Sequence, residues 1–330
     1  MSQLSTEPIL DPDLLICDPH HHYWHHPTNP YLLEQLHADT EAVDAEGRSH
    51  NVASTVFVEC MAEYLTDGPV ALRPVGETHF VTEAAERSEL SDGAVIAGIV
   101  GFADLSLGAA VEEVLNAHVD AGHGRFRGIR HATSWIDDPK IHNAHTNPTE
   151  GLMSDHDFRA GFDVLGRMDL SFDAWLYHPQ LPDLVDLARS HPDTVVILDH
   201  LGGPLGIGPF RGQRDAVLEA CRGPLTELAE CPQVYVKLGG VGMSIYGDGW
   251  HKMDPRPSSE QVAERWGDHI RFVIDLFGPD RCMFESNFPV DKTGIDYPVL
   301  WNAFKRIADR YDQHERSALF AGAARTAYRV

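Results

Sequence analysis

Residues 16–24 read Ile-Cys-Asp-Pro-His-His-His-Tyr-Trp, and the rest of the chain is best interpreted outward from them. An apolar run leads into the histidines, which predicts a strand that ends there. Side chains alternate along a strand, so Asp18, His20 and His22 are expected on one face and His21 on the other. Two imidazoles on one face can hold a single cation, and imidazole suits zinc, iron, copper or nickel. A histidine-rich surface loop is the alternative, because the chain holds 20 histidines in all.

The length and charge of the chain narrow the class of protein. A chain of 330 residues with 43% hydrophobic content suits one α/β barrel domain over residues 1–330. The net charge of -24 and a pI of about 5.1 argue against nucleic acid or an anionic membrane surface as partner. A small-molecule substrate is compatible with this charge, because the local potential of a pocket can oppose the global sign. Pairing of barrels into a homo-oligomer stays open.

The cysteines and the N-terminus bear on the compartment. The five cysteines are odd in number and far apart, which predicts reduced, mostly buried thiols in a reducing compartment. The N-terminus has no basic region followed by an apolar stretch, so we expect no signal peptide. No apolar run approaches ~18 residues, so we expect no transmembrane helix. The sequence therefore predicts a soluble cytoplasmic protein.

Eight apolar, β-branched segments alternate with segments of helical periodicity. After the first strand, the predicted strands span residues 53–60, 95–102, 126–131, 171–177, 194–199, 233–240 and 281–287. Several are apolar on both faces, as a sheet covered by helices requires. Connections from helix to strand are short, whereas those from strand to helix are long and carry His, Trp, Arg and Tyr. This pattern predicts a (β/α)8 TIM barrel with its site at the carboxyl ends of the strands.

The main alternative fold is an open doubly wound sheet. That fold places a glycine-rich turn after the first strand, where this chain has three histidines. In a barrel, polar side chains that end different strands converge. Those at the predicted strand ends are His20, His22, Glu59, Arg130, His131, His178, His200, Lys237, Glu285 and Asn287. The first- and fifth-strand histidines can form a metal site with open positions, and His200 can contact a bound water or a reacting carbonyl.

Five motifs together resemble the amidohydrolase superfamily, in its amidohydrolase-related (amidohydrolase 2) branch. They are Asp18-Pro-His-His-His-Tyr-Trp24, Gly128-Ile-Arg-His131, Leu198-Asp-His-Leu-Gly-Gly-Pro204, Val236-Lys-Leu-Gly-Gly240 and Phe284-Glu-Ser-Asn-Phe-Pro289. The branch includes lactonases for 2-pyrone-4,6-dicarboxylate and for sugar lactones, and related decarboxylases. The resemblance covers nearly the whole chain and implies a TIM barrel, but it does not specify a substrate.

The resemblance also implies roles for individual residues. His20, His22 and His178 match the ligands of a divalent metal, zinc or manganese, and His200 matches an assisting histidine. Asn287 stands where the family has an aspartate that binds metal and takes the proton from water. An amide oxygen can ligate a hard cation weakly, but an amide cannot accept a proton near neutral pH.

Another group must therefore be the base, or the reaction needs none from this position. Glu285, Asp291 and Glu59 are the carboxylates that we consider for that role. Glu59 can equally pair with Lys237 or Arg130 in the barrel mouth.

The branch also contains metal-free lactonases, in which arginine and histidine hold an anionic substrate and polarise its carbonyl. Arg130, His131, Arg127 and Lys237 suit that role, and Tyr177 is a candidate pocket wall. A metal-bound site and a metal-free site both stay open at this point.

Three functions follow from these residues. The first is a hydrolase that opens a small anionic or polyhydroxy lactone with activated water, stabilising the oxyanion with metal or cationic side chains. The second is a metal-dependent decarboxylase of an aromatic or muconate-type acid, which needs a proton donor rather than a hydrolytic base. The third is a non-catalytic barrel that binds or assembles, for which Asn287 is the support. We expect residues 132–153 and 241–258 to select the substrate.

Overall fold

The structure is a computed structural model that describes residues 7–25 and 29–330. Its framework is one sheet of eight parallel strands that are hydrogen-bonded in chain order. The strands are β1 (Leu15–His21), β2 (Asn51–Val58), β3 (Val95–Gly101), β4 (Phe126–Arg130), β5 (Ser171–Ala174), β6 (Val196–Leu198), β7 (Val234–Lys237) and β8 (Cys282–Met283). A parallel bridge between His21 and Phe288 joins the end of the sheet to its beginning. The predicted (β/α)8 TIM barrel is confirmed, because a doubly wound sheet would reverse its strand order at a switch point.

Helices follow the strands and cover the barrel. Within the described ranges they are α1 (Leu33–Thr40), α2 (Val75–Ser88), α3 (Val111–Ala121), α4 (His156–Arg167), α5 (Leu181–Ser190), α6 (Arg214–Ala229), α7 (Ser259–Phe277), α8 (Tyr297–Ile307), α9 (Gln313–Ser317) and α10 (Ala323–Tyr328). Helix α7 shows how local sequence sets these elements. Ser258 caps it by accepting a hydrogen bond from Gln261 N, and Gly278, at a φ of 82°, ends it. Its apolar residues recur at helical spacing and are buried against the barrel.

Some boundaries differ from the predicted ones at the barrel mouth. The predicted strand at 281–287 leaves the ladder after Met283, because Phe284 N donates to the backbone oxygen of Leu319, outside the sheet, at 3.0 Å. Helix α4 is capped by Asp155, which accepts from the backbone N–H groups of Asp157 and Phe158 at 2.9 Å. This N-cap sets the start of α4 at His156.

The two ends of the barrel are closed differently. At the amino ends of the strands, Ala324, Ala327 and Tyr328 of α10 pack into an apolar cluster with Val56 and Ile197. At the carboxyl ends, the long loops of residues 131–155 and 238–258 lie over the mouth. A polar site can therefore be reached only from the loop side.

Two further observations concern the thiols and the helices. All five cysteines are free, with Cys60 half-buried and the other four buried, as predicted for reduced thiols. Across residues 7–25 and 29–330, no helix combines the length and the apolar character that crossing a membrane demands. The first six residues, on which the expectation about a signal peptide partly rests, lie outside the described residues.

Candidate active site

The histidine pair of β1 lies at the centre of the barrel mouth. The Nε2 atoms of His20 and His22 are 3.2 Å apart, and both side chains are buried. His21 takes the opposite face of β1, where its ring packs against Phe57 at a centroid distance of 5.7 Å. Nδ1 of His22 is 2.7 Å from the carbonyl oxygen of Val58. A carbonyl only accepts, so Nδ1 carries the proton and Nε2 of His22 carries a lone pair.

His20 is surrounded so that either of its neutral tautomers is satisfied. Its Nδ1 lies 3.0 Å from Nζ of Lys237, a donor, and 2.9 Å from Oε2 of Glu285, an acceptor. With the proton on Nδ1, the Nε2 lone pair of His20 faces that of His22. Burial holds the pKa of His20 well below its ordinary value and lowers the pKa of His22 to about 3. His22, whose Nδ1 is fixed by Val58, has the arrangement typical of a metal ligand, and His20 has it only in the tautomer whose Nδ1 proton faces Glu285.

Asn287 lies beside this pair. Its Nδ2 donates to Oδ1 of Asp291 at 2.9 Å, which turns its Oδ1 toward Nε2 of His22 at 3.3 Å. Both of these facing atoms are acceptors, because the proton of His22 is on Nδ1. Burial raises the pKa of Asp291, and the hydrogen bonds from Asn287 Nδ2 and Gly242 N oppose that shift.

Buried acceptor atoms without a hydrogen-bond partner are also found next to the end of β6. Both carboxylate oxygens of Asp199 are buried without a hydrogen-bond partner, although Oδ1 lies 3.0 Å from Nζ of Lys237. His20, Asp199 and His200 each offer a ligand atom, and these three atoms lie within 4.8 Å of one another. Buried polar atoms are normally paired, so this group of nitrogen and oxygen acceptors fits a divalent cation.

His200 forms a close pair with Glu285. Its Nδ1 is 2.6 Å from Oε1 of Glu285, which leaves Nε2 available to a ligand. Burial lowers the pKa of His200 to about 3 and raises that of Glu285 well above its ordinary value. The backbone of His200 is left-handed, with a φ of 52°, a strained conformation that the tight turn from 200 to 203 imposes. Gly239 and Gly240 make room for the pair, since a Cβ there would lie 2.3 Å from Cγ of Glu285 and 2.7 Å from Cβ of His200.

Two buried cations complete the cluster. Arg130 donates to Oε1 of Glu59 at 2.8 Å and to the backbone oxygen of Glu59 at 2.5 Å, which is one of the pairings that the sequence left open. Lys237 lies 2.6 Å from Asp173 and 3.0 Å from Asp199. Burial alone would raise the pKa of Glu59, but Arg130 and His145 bring it to about 2.

The charges of the cluster do not balance. Three buried carboxylates, Glu59, Asp173 and Asp199, face the two cations, and the raised pKa of a fourth buried carboxyl, Glu285, favours its neutral form. Burial and the neighbouring Asp199 outweigh Lys237 and raise the pKa of Asp173 to about 6. The mouth is therefore a place of excess negative charge, which a bound cation would reduce.

Three residues of the predicted site lie elsewhere at the mouth. His131 is on the outer face of β4, where Leu105 N donates to its Nδ1 at 3.2 Å. Tyr177 donates its hydroxyl to the backbone oxygen of His142 at 2.5 Å and so anchors the loop after β4. His178 packs its ring against Phe210 at 4.7 Å and is not part of the group of three ligand atoms found among the described residues. Their predicted roles as substrate or metal ligands stay predictions.

Sequence reasoning missed Asp173, Asp199 and His145. Asp173 and Asp199 are single carboxylates in otherwise apolar strand segments, and a lone charge in a buried strand was the available signal. His145 comes from the long loop after β4, and its Nε2 lies 3.1 Å from Oε2 of Glu59. No local pattern marks that contact, because it depends on how the loop folds back.

Comparison with known proteins agrees with this geometry. The profile of the family described as Amidohydrolase matches residues 17–330. The uncharacterised protein y4mH of Sinorhizobium fredii is 33% identical over 335 residues, covering 96% of this chain and 99% of that protein. An L-fucono-1,5-lactonase of Burkholderia ambifaria is 27% identical over 331 residues, covering 95% of each chain.

A solved structure leads to the same family. The crystal structure of an amidohydrolase from Burkholderia multivorans with bound zinc has a TM-score of 0.73 to this chain at 25% identity, covering 96% of this chain and 99% of that one. The profile match spans most of the sequence, and the eight-stranded barrel agrees with it. The chain therefore belongs to the amidohydrolase family and is a hydrolase of that family.

Proposed function

We propose that the protein hydrolyses a small lactone and that it prefers an uncharged, polyhydroxy lactone to an anionic one. The pair of His200 and Glu285 supports lactone hydrolysis, because it supplies a base in a site where Asn287 stands in place of the family's aspartate. The similarity to an L-fucono-1,5-lactonase supports a cyclic ester of a sugar acid as the substrate class.

The preference for an uncharged substrate rests on the charges of the cluster. Arg130 is paired with Glu59, and Lys237 is paired with Asp173 and Asp199. Both cations already have carboxylate partners, so neither is free to bind a carboxylate group of the substrate. Excess negative charge disfavours an anion and favours hydroxyl groups, which can donate to carboxylate oxygens.

In the proposed reaction, Nε2 of His200 takes a proton from a water molecule as the water oxygen bonds to the lactone carbonyl carbon. The step requires Glu285 in its ionised form, which accepts the Nδ1 proton and keeps the lone pair of His200 on Nε2, while Asp199 opposes the lowering of the pKa of His200 by burial. Nε and Nη2 of Arg130 are held by Glu59, and its Nη1, 3.4 Å from Nε2 of His20, is the nitrogen that stabilises the oxyanion. The ring C–O bond then breaks, His200 returns the proton to the leaving oxygen, and an open hydroxy acid results.

We propose zinc as the cofactor, held by His20 and His22 with Oδ1 of Asn287 or a carboxylate oxygen of Asp199, while His200, the third member of the group with His20 and Asp199, is left to act as the base. Nitrogen ligands suit zinc, and a related amidohydrolase has zinc bound. When bound, a divalent cation supplies Lewis-acid polarisation of the carbonyl and lowers the pKa of water. Manganese is the alternative metal, and Arg130 alone is the alternative for polarising the carbonyl without a metal.

The test is a panel of lactones with a pH-indicator readout. We expect L-fucono-1,5-lactone or another uncharged sugar lactone to be opened with a higher kcat/KM than 2-pyrone-4,6-dicarboxylate. A higher kcat/KM for the dicarboxylate would contradict the charge argument, and no turnover of any lactone would contradict the hydrolase proposal.

Decarboxylation is the second candidate, because Asn287 leaves the site without the usual aspartate base and the raised pKa of Glu285 makes it a possible proton donor. Carbon dioxide release from aromatic and muconate-type acids tests it with the same protein. Membership of a hydrolase family argues against the non-catalytic alternative.

A further inference from the structure

We propose that Asp291 is a positioning residue, which holds the side-chain amide of Asn287 with its oxygen toward His22. Asn287 thereby offers a neutral oxygen to a cation where the family has a carboxylate. The proposal rests on the cation site proposed above. It concerns how that site can bind a cation when Asn287 stands where the family has an aspartate.

Asp291 is fully buried, and both of its oxygens accept hydrogen bonds. Oδ1 accepts from Nδ2 of Asn287 at 2.9 Å, and Oδ2 accepts from the backbone N–H of Gly242 at 2.7 Å. The two oxygens thus face two donors, Gly242 N and Nδ2 of Asn287, so the amide nitrogen of Asn287 lies on the Asp291 side. The amide oxygen is left on the opposite side, 3.3 Å from Nε2 of His22.

Hydrogen bonds hold the backbone at Asn287, so the orientation of its side-chain amide is the freedom that matters here. Asn287 N donates to the backbone oxygen of His20 at 2.9 Å, and Asp291 N donates to the backbone oxygen of Asn287 at 3.1 Å. With the Cα–Cβ direction set in this way and the amide placed between Asp291 and His22, the remaining choice is the exchange of amide oxygen and nitrogen by rotation through about half a turn. The partner on the far side decides which atom faces His22, and that partner is Asp291.

The neighbouring loop is shaped to admit Asp291. A Cβ at Gly242 would lie 2.7 Å from the backbone oxygen and 2.8 Å from Cβ of Asp291, so a side chain there would displace it. The φ of Gly242 lies outside the left-handed region, so the constraint is one of space. The same loop makes room for His200 through Gly240 and for Glu285 through Gly239. Asp291 is thus placed by the same glycine-rich segment that places the proposed base.

The experiment uses Asp291→Asn in the full-length protein. An asparagine at 291 can still accept from Gly242 N, but it then presents its own amide nitrogen to Asn287. Asn287 is expected to rotate and to donate to Nε2 of His22, which occupies the lone pair. Every hydrogen bond remains satisfied in this arrangement, so we expect the variant to fold while its zinc affinity falls about 10- to 100-fold.

Zinc affinity is measured by competition with a chromophoric chelator, and Co²⁺ is used as a spectroscopic probe of the ligands. The double variant Asn287→Asp, Asp291→Asn keeps the net charge and restores an acceptor beside His22, so it should recover zinc affinity. The control is Asp44→Asn, which removes another buried carboxylate that accepts from a backbone N–H, that of Ile9 at 2.8 Å, away from the site. It should leave the zinc affinity and the Co²⁺ spectrum unchanged.

Each outcome has a definite meaning. Loss of affinity in Asp291→Asn with recovery in the double variant supports the proposal. Unchanged affinity in Asp291→Asn overturns the positioning role and leaves the cation site standing. Wild-type protein that binds no zinc overturns both, whereas the lactone panel decides separately whether the hydrolase proposal survives. If Asp291→Asn does not fold, Gly242→Ala displaces Asp291 by another route, and normal zinc affinity in that variant overturns the proposal.

Discussion

Replacing Lys237 by methionine should destabilise the barrel strongly, because it leaves two buried carboxylates without their cation. Nζ of Lys237 lies 2.6 Å from Asp173 and 3.0 Å from Asp199, and all three side chains are fully buried. At these separations, each attraction amounts to about 6 kcal/mol at an effective dielectric constant of about 20. Desolvation, which costs several kcal/mol per ion, offsets much of this attraction in the wild type.

The variant keeps the desolvation cost of the carboxylates and loses the attraction. We therefore expect the free energy of unfolding of Lys237→Met at pH 8 to fall by about 3–5 kcal/mol, measured by urea denaturation. Lys252→Met is the matched control, because Lys252 is exposed and its loss should change stability by less than about 0.5 kcal/mol.

The loss of unfolding free energy in Lys237→Met, relative to wild type, should become smaller as the pH is lowered. The pKa of Asp173 is already raised to about 6 by burial, and loss of Lys237 raises it further. Between the unfolded pKa of about 3.9 and the raised folded value, the folded variant binds a proton that the unfolded chain does not. Wild type gains the same proton only below its own folded pKa of about 6, so the stability of the variant relative to wild type rises as pH falls from the variant's raised pKa to about 6 and is constant below it. A deficit below about 1 kcal/mol at pH 8, or one that does not change with pH, would refute this account of the cluster.

Three other predictions concern the site and the fold. Glu285→Gln should lower kcat/KM for lactone hydrolysis by about 10²-fold or more with little change in folding, because His200 loses its orienting carboxylate; near-normal turnover would contradict the pair. Purified wild-type protein should contain about one equivalent of zinc by metal analysis, and the His20→Ala, His22→Ala double variant should contain none. Burial lowers the pKa of Lys305 to about 7, so the unfolded chain binds more protons above that pH; wild-type stability should rise from pH 7 to 9, and Lys305→Met should lack that rise.

The sequence by itself determined the architecture and the centre of the site. Strand and helix periodicities are local properties of the chain, so eight alternating pairs could be counted without coordinates. The His20 and His22 pair followed from alternation within one strand, and the exchange of aspartate for Asn287 followed from one motif. In each case the evidence lies within a few consecutive residues.

Tertiary structure alone decided the partners of those residues. Glu285 was placed near the mouth by sequence, but its pairing with His200, 85 residues away, depends on the closure of the barrel. The role of Lys237 in binding substrate stays a prediction, and the structure adds its contact with Asp173, 64 residues away. Hydrogen bonds and ion pairs form over about 3 Å, whereas a sequence pattern places a side chain only at the end of a strand. Which acceptor meets which donor at the mouth is therefore set by the packing of eight strand ends and their loops, and it is this packing that turns Asn287 toward His22.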